Sequence, residues 1–204
     1  MKPPKFKMTE LGPIPEDWEV KRLGEICCKI GSGATPYGGS SSYCDAGVSL
    51  IRSQNVLDTT FSFDGLAHIN DEQAAELLNV EVEQHDVLLN ITGDSVARVC
   101  VVPSSILPAR VNQHVCILRA VELACSYSFL AYILVFSKER LLLTAFGGGT
   151  RNAPTKHDVE HFLISLPPLP EQRRIAGVLS DVDELISALG KLIEKKRNIK
   201  TGTM

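Results

Sequence analysis

At 204 residues, 44% hydrophobic and 22% charged, the chain can bury one good core plus an appended element, which excludes disordered and fibrous classes. Its net charge of −3 argues against holding nucleic acid by indiscriminate phosphate attraction. The apolar stretch from Phe129 to Phe136 is too short to cross a bilayer and Met1 to Thr9 lacks an apolar secretory core, so no membrane role and a cytoplasmic location are expected.

The segment from Ile14 to Ile26 starts at a proline-bounded turn and continues as a short amphipathic stretch that opens the globular part. Gly31 to Ser42, rich in glycine and serine, reads as an exposed loop. Short strands are expected at 48–52, 87–92, 99–102 and 115–120, each bounded by Gly, Pro, Asn or Asp. Asn70 has the look of a helix cap before Ala74, Ala75, Leu77 and Leu78, and Ser128 to Phe146 reads as one buried helix ended by three glycines. Thr155 followed by Asp158 predicts a capped short helix to about Phe162, then an extended run to Leu166. This mixture points to an α+β fold with a mixed sheet, followed by a long C-terminal coiled-coil helix.

Pro167, Pro168 and Pro170 mark a boundary, dividing residues 1–166 from 167–204. Beyond it, Ile175, Val178, Val182, Leu185, Leu189 and Leu192 fall at positions a and d of a heptad, with Leu179, Ile186 and Ile193 at the adjoining e positions. A helix of some 30 residues is about 45 Å long, so much of it should project and seek partners. Charge is also segregated: from Ser53 to Ala97 there are carboxylates and no Lys or Arg, whereas Arg98 to Lys156 carries seven bases against Glu122 and Glu139.

Most catalytic readings fail on the residues themselves. The pattern His157-x-x-Glu160-His161 matches one class of zinc peptidases, but the helix is short and no further acidic ligand follows in a helical setting; a zinc-dependent hydrolase stays open as an alternative, as does a plain oligomerisation adaptor. Gly147-Gly148-Gly149-Thr150 lacks the Gly-Lys-Ser/Thr ending of a P-loop. No cofactor loop is visible, no metal is expected, and the six cysteines, without a C-x-x-C pair, read as core thiols. Reading DNA needs Arg, amide and hydroxyl side chains on loops. The candidates are Arg52, Gln54, Asn55, Thr92, Arg98, Arg110, Asn112, Gln113, Thr150, Arg151 and Asn152.

Several segments together resemble the specificity subunit of type I restriction-modification enzymes: Ile14-Pro15-x-x-Trp18 leading to Leu23-Gly24-Glu25-Ile26, Gly33-Ala34-Thr35-Pro36, Asp86 to Gly93, Asn112-Gln113-His114 and, above all, Leu166 to Ala176. The resemblance implies a target-recognition domain followed by a conserved spacer helix, in a chain half the usual length or a fragment. It implies a non-catalytic role in which double-stranded DNA is read and the helix docks methylation subunits and, through them, the restriction subunit. S-adenosylmethionine would belong to the methylation subunit. A second recognition unit, joined in tandem or by homodimerisation, would pair its helix antiparallel and set two reading domains apart on one duplex.

Overall fold

A computed structural model describes residues 5–146 and 153–202. The chain opens with a hairpin of β1 (Phe6–Thr9) and β2 (Gly12–Pro15), and β3 (Glu19–Arg22) then leads through a single turn, α1 (Leu23–Ile26), into β4 (Cys27–Ser32). Next come β5 (Val48–Ile51), β6 (Ala67–Ile69), α2 (Asp71–Glu76) and β7 (Glu81–Val82). The strands β8 (Val87–Asn90), β9 (Val99–Val101), β10 (Ala109–Val111) and β11 (Val115–Ala120) complete the sheets. Helices α3 (Tyr127–Phe136), α4 (Lys138–Phe146) and α5 (Lys156–His161) precede β12 (Leu163–Leu166) and the long α6 (Leu169–Gly202).

One sheet runs β4-β11-β8-β9, all antiparallel; the other runs β6-β5-β10-β7 and is mixed, because β5 and β10 are parallel. Side chains alternate across the first sheet: Cys116 and Leu118 of β11 face the helices, whereas Val115 and Ile117 face the second sheet. The molecule is therefore α+β with three layers, helices on an antiparallel sheet on a mixed sheet. Within the middle sheet β8 is covered on both faces, which is why it reads as an unbroken run, Val87, Leu88, Leu89 and Asn90 all being buried.

The segregated charges interlock. Arg110 pairs with Glu81 at 3.2 Å and Lys138 with Asp58 at 2.5 Å, each tie joining the basic stretch to the acidic one. Arg119 meets fully buried Asp86 through Nε at 2.8 Å and Nη2 at 2.9 Å, and also meets Glu83. The Glu83 N–H donates to the second Asp86 oxygen at 2.7 Å, so the buried carboxylate is compensated on both oxygens. The hydrogen bond that Arg119 donates to Asp86 is the main cause holding the Arg119 pKa above its ordinary value. What reads as a basic patch in linear order is largely internal cement.

Asn70 and Thr155 cap their helices as expected, each accepting the backbone N–H three residues on while that residue's side chain reaches back. Two expectations are corrected. The single helix from Ser128 breaks at Ser137, nearly buried, whose N–H still bonds Ile133 O while its own carbonyl accepts from Leu141 and starts α4. The loop assigned from Gly31 instead begins after Ser32, because Gly31 and Ser32 pair with Ile117 and Cys116 of β11. Just past the proline boundary the Glu171 and Gln172 N–H groups both donate to Pro168 O, so α6 turns at once.

The core also continues past residue 166. In α6, Gln172 and Ala176 are buried, Ile175 packs partly on the body, and Tyr132 donates to Asp183 at 3.0 Å. Ile175, expected at the helix interface, is thus partly engaged by its own domain. The 19 residues from Glu184 to Gly202 are all exposed, a projecting length of about 28 Å. No described helix is long and apolar enough to cross a membrane.

Candidate nucleic-acid interface

Strand direction decides what shares a surface. The C-terminal ends of β4, β5, β8 and β10 and the N-terminal ends of β9 and β11 lie at one end of the stacked sheets. Four loops meet there: residues 33–38, 52–57, 91–98 and 112–114. They are laced together by backbone bonds, Gly33 N–H to Asn112 O at 3.1 Å, Asn112 N–H to Ile51 O at 3.1 Å and Ile91 N–H to His114 O at 3.0 Å. Asn90 adds two more, its Nδ2 donating to Ser53 O at 2.8 Å and Val56 O at 3.3 Å. Gly33 is demanded by closeness: a Cβ there would lie 1.7 Å from Val111 O.

All the described DNA candidates but Arg110 belong to this loop end, yet they play different parts. Arg110, 5% exposed, points from the middle of β10 to Ala74 O at 3.1 Å and to Glu81, so it is a tether between β10, α2 and β7 and is not offered to a duplex. Asn55 is fully buried, accepting from Arg52 N–H at 3.0 Å and donating to Ser62 O at 3.0 Å; Asn112, nearly buried, accepts the His114 N–H at 3.0 Å. Both shape loops and are corrected to that role. Arg52 is half-buried, donates to Gly65 O and lies 5.4 Å from the Tyr43 ring, while Gln54 faces Asp64 O and Gly65 O at 3.4 Å.

Arg98, Thr92 and Gln113 remain at the surface of the loop end. Arg98 is half-buried, follows Ala97 held in the left-handed region at φ 65°, and carries a guanidinium with no ion pair among the described residues. Thr92 Oγ1 lies 2.6 Å from His114 Nδ1, His114 Nε2 lies 3.1 Å from Gln113 Nε2, and Thr35 Oγ1 donates to Gln113 Oε1. His114 and Thr35 were not among the expected site residues. Both stand in segments that carry the resemblance, Gly33 to Pro36 and Asn112 to His114, but a bond between residues 78 apart leaves no local pattern. Thr150, Arg151 and Asn152 lie outside the described residues.

At the opposite end, other resemblance segments converge on the root of α6. Trp18 Nε1 donates to Glu171 Oε2 at 3.3 Å, and Leu23 N–H donates to Phe162 O at 3.0 Å. Gln172, 1% exposed, accepts Ser126 N–H at 2.9 Å and donates to Pro167 O at 2.9 Å and Ala124 O at 3.2 Å. This fully satisfied amide pins the helix root to the 124–126 turn. Beyond the root, Val178, Leu179, Val182, Leu185, Ile186, Leu189, Leu192 and Ile193 are exposed, an apolar stripe unusual for a surface helix.

The zinc alternative finds no support. The His157 and His161 ring centroids lie 3.9 Å apart with the planes tilted by 35°, His161 Nδ1 lies 2.9 Å from His157 O, and Glu160 pairs with Lys156 at 3.5 Å. Among the described residues, no three His, Cys, Asp or Glu converge as metal ligands. Burial pushes the Cys100, Cys116 and Cys125 thiols up to about 12, far from the thiolate a nucleophile needs.

Comparison with known proteins agrees with this architecture. Two type I restriction enzyme specificity subunits of Methanocaldococcus jannaschii, designated MjaX and MjaVIII, are 27% and 28% identical to the chain over 98% and 94% of its length. The match spans 47% and 42% of those proteins, so the chain covers about half the length of the curated relatives it matches. A solved chain from work on complex assembly and conformational transition of the type I R-M system superimposes with a TM-score of 0.67 at 25% identity, over 90% of this chain and 42% of that one. The HsdS subunit of Thermoanaerobacter tengcongensis shares the fold, with a TM-score of 0.62 at 23% identity over 91% of this chain and 42% of its own. With the family model matched from residue 15 to 198, the chain belongs to the family of the type I restriction modification DNA specificity domain.

Proposed function

We propose that this chain is a non-catalytic DNA reader of a type I restriction-modification complex, acting in the cytoplasm. The loop end of the stacked sheets contacts one half of a bipartite site. The observation that carries this reading is the convergence of four loops, with Arg98, Thr92 and Gln113 at their surface, on one end of a rigid frame. Such groups can make the bidentate and charged contacts that discriminate base edges. Methylation subunits supply S-adenosylmethionine chemistry and the restriction subunit joins through them; an overall charge of −3 suits a reader whose partners supply much of the grip on the DNA backbone.

The apolar stripe of α6 joins a second recognition unit, and its charge pattern favours an antiparallel pair. Asp181, Asp183 and Glu184 lie nearer the body, whereas Lys191, Lys195, Lys196, Arg197 and Lys200 lie toward the far end. Two copies crossing near Leu189 set the acidic stretch of each opposite the basic stretch of the other; a parallel pair would stack like on like. Antiparallel pairing also sends the two reading ends to opposite ends of the rod.

Selection from a random duplex library by the chain assembled with its methylation subunit tests the reading. The expected product is a motif of two defined half-sites with an undefined stretch between them. Enrichment of one uninterrupted site would overturn the two-unit geometry, and no enrichment would overturn DNA reading altogether.

A further inference from the structure

We infer that Gln113 is the residue that reads an adenine within the half-site, and that Thr35, His114 and Thr92 are its positioning residues; the inference rests on the DNA-reading function proposed above. A primary amide offers two N–H donors and two acceptor lone pairs. At Gln113 one of each is taken: Thr35 Oγ1 donates to Oε1, and Nε2 lies 3.1 Å from His114 Nε2. With Nε2–H given to the imidazole, the ring accepts at Nε2 and carries its own proton on Nδ1, which reaches Thr92 Oγ1 at 2.6 Å. This assignment of hydrogens follows from the network as a whole. A row of four side chains from three loops therefore holds the amide plane at both of its polar ends.

What is left over defines the ligand. Gln113 is exposed, and it retains one N–H and one lone pair on a fixed plane. An acceptor beside a donor matches the adenine edge in the major groove, where N6–H donates and N7 accepts. Guanine presents two acceptors in the corresponding places and leaves the Gln113 oxygen facing another oxygen or nitrogen. The positioning is cheap to maintain because the frame is already paid for in backbone bonds: His114 O holds Ile91 N–H at 3.0 Å and Asn112 O holds Gly33 N–H at 3.1 Å. A glutamine swinging freely from a surface loop would lose rotamer freedom on every contact, whereas this one loses little.

The test is the same random-library selection, run on the full chain with its methylation subunit, for the native protein and a set of variants. The native protein is expected to enrich a motif that contains an adenine, and Gln113→Ala is expected to lose preference at that one position by roughly 5- to 150-fold, leaving the other positions unchanged. Gln113→Glu is expected to move the preference there toward cytosine, whose N4 group offers a donor to the carboxylate. Thr35→Val and Thr92→Val relax the same position and no other, while Thr35→Ser, which keeps the hydroxyl, restores it. A Gln113→Ala motif identical to the native one, or an equal weakening on every sequence, overturns the assignment while leaving DNA reading intact. Absence of any motif with the native protein instead removes the reading on which the inference rests.

Discussion

At the loop end, most polar side chains are committed before any ligand arrives. Asn55, Asn90 and Arg52 tie loop to strand or loop to loop, Asn112 closes its own loop, and Gln113 stays exposed on a frame that is already set. Along α6 beyond Glu184 the arrangement is the reverse: Leu185, Ile186, Leu189, Leu192 and Ile193 are 49–62% exposed. A surface whose polar groups are held in place is suited to discriminating among ligands, because little ordering is lost on contact. A bare apolar stripe has no such selectivity in its parts; it gains from burial against any complementary partner and is suited to assembly.

Separating these two roles by mutation should give effects of different kind as well as size. The largest is expected from Leu185→Glu with Leu189→Glu, which removes roughly 1.5–3 kcal/mol per fully buried leucine and places charge on the seam. Sedimentation should show loss of self-association with the thermal unfolding of the body unchanged; an unaltered association state would count against the stripe. Next in size is Gln172→Leu, which orphans Ser126 N–H, Ala124 O and Pro167 O at the helix root and should cost about 3 kcal/mol in denaturant unfolding. An equally stable variant would show that the root is not pinned as described. Smallest is Arg98→Ala, expected to weaken DNA binding by about 1 kcal/mol with stability intact. If Arg98 meets a phosphate, the salt dependence also falls by about one unit on all sequences; if it meets a base, only the preference at one position changes.

Where local chemistry decides, the sequence was legible. Asn70 and Thr155 announced their caps because a capping box is made within four residues. The strands at 48, 87, 99 and 115 showed as β-rich runs between turn formers. The heptad stripe of α6 was readable in the same way, but its inner limit was not: Ile175 fits the repeat, yet whether it faces a partner or its own core depends on where α3 lies.

Contacts distant in sequence were harder to see. β4 was hidden because Cys27 to Ser32 has no strong alternation, and its strand character comes from pairing with β11 some 90 residues later. Arg98 and Arg110 look alike in linear order, each standing in an Ala-Arg-Val triplet. One is left with a free guanidinium among the described residues and the other is enclosed by Ala74 and Glu81, a difference fixed by strand position alone. His114 and Thr35 escaped notice for the same reason, since a threonine and a histidine acquire meaning only once Gln113 stands between them.

A footprint of the chain with a type I methylation subunit on a selected duplex bears most directly on the proposed division between reading loops and joining helix. Two protected half-sites flanking an unprotected stretch are expected. A single uninterrupted protected segment would contradict that division.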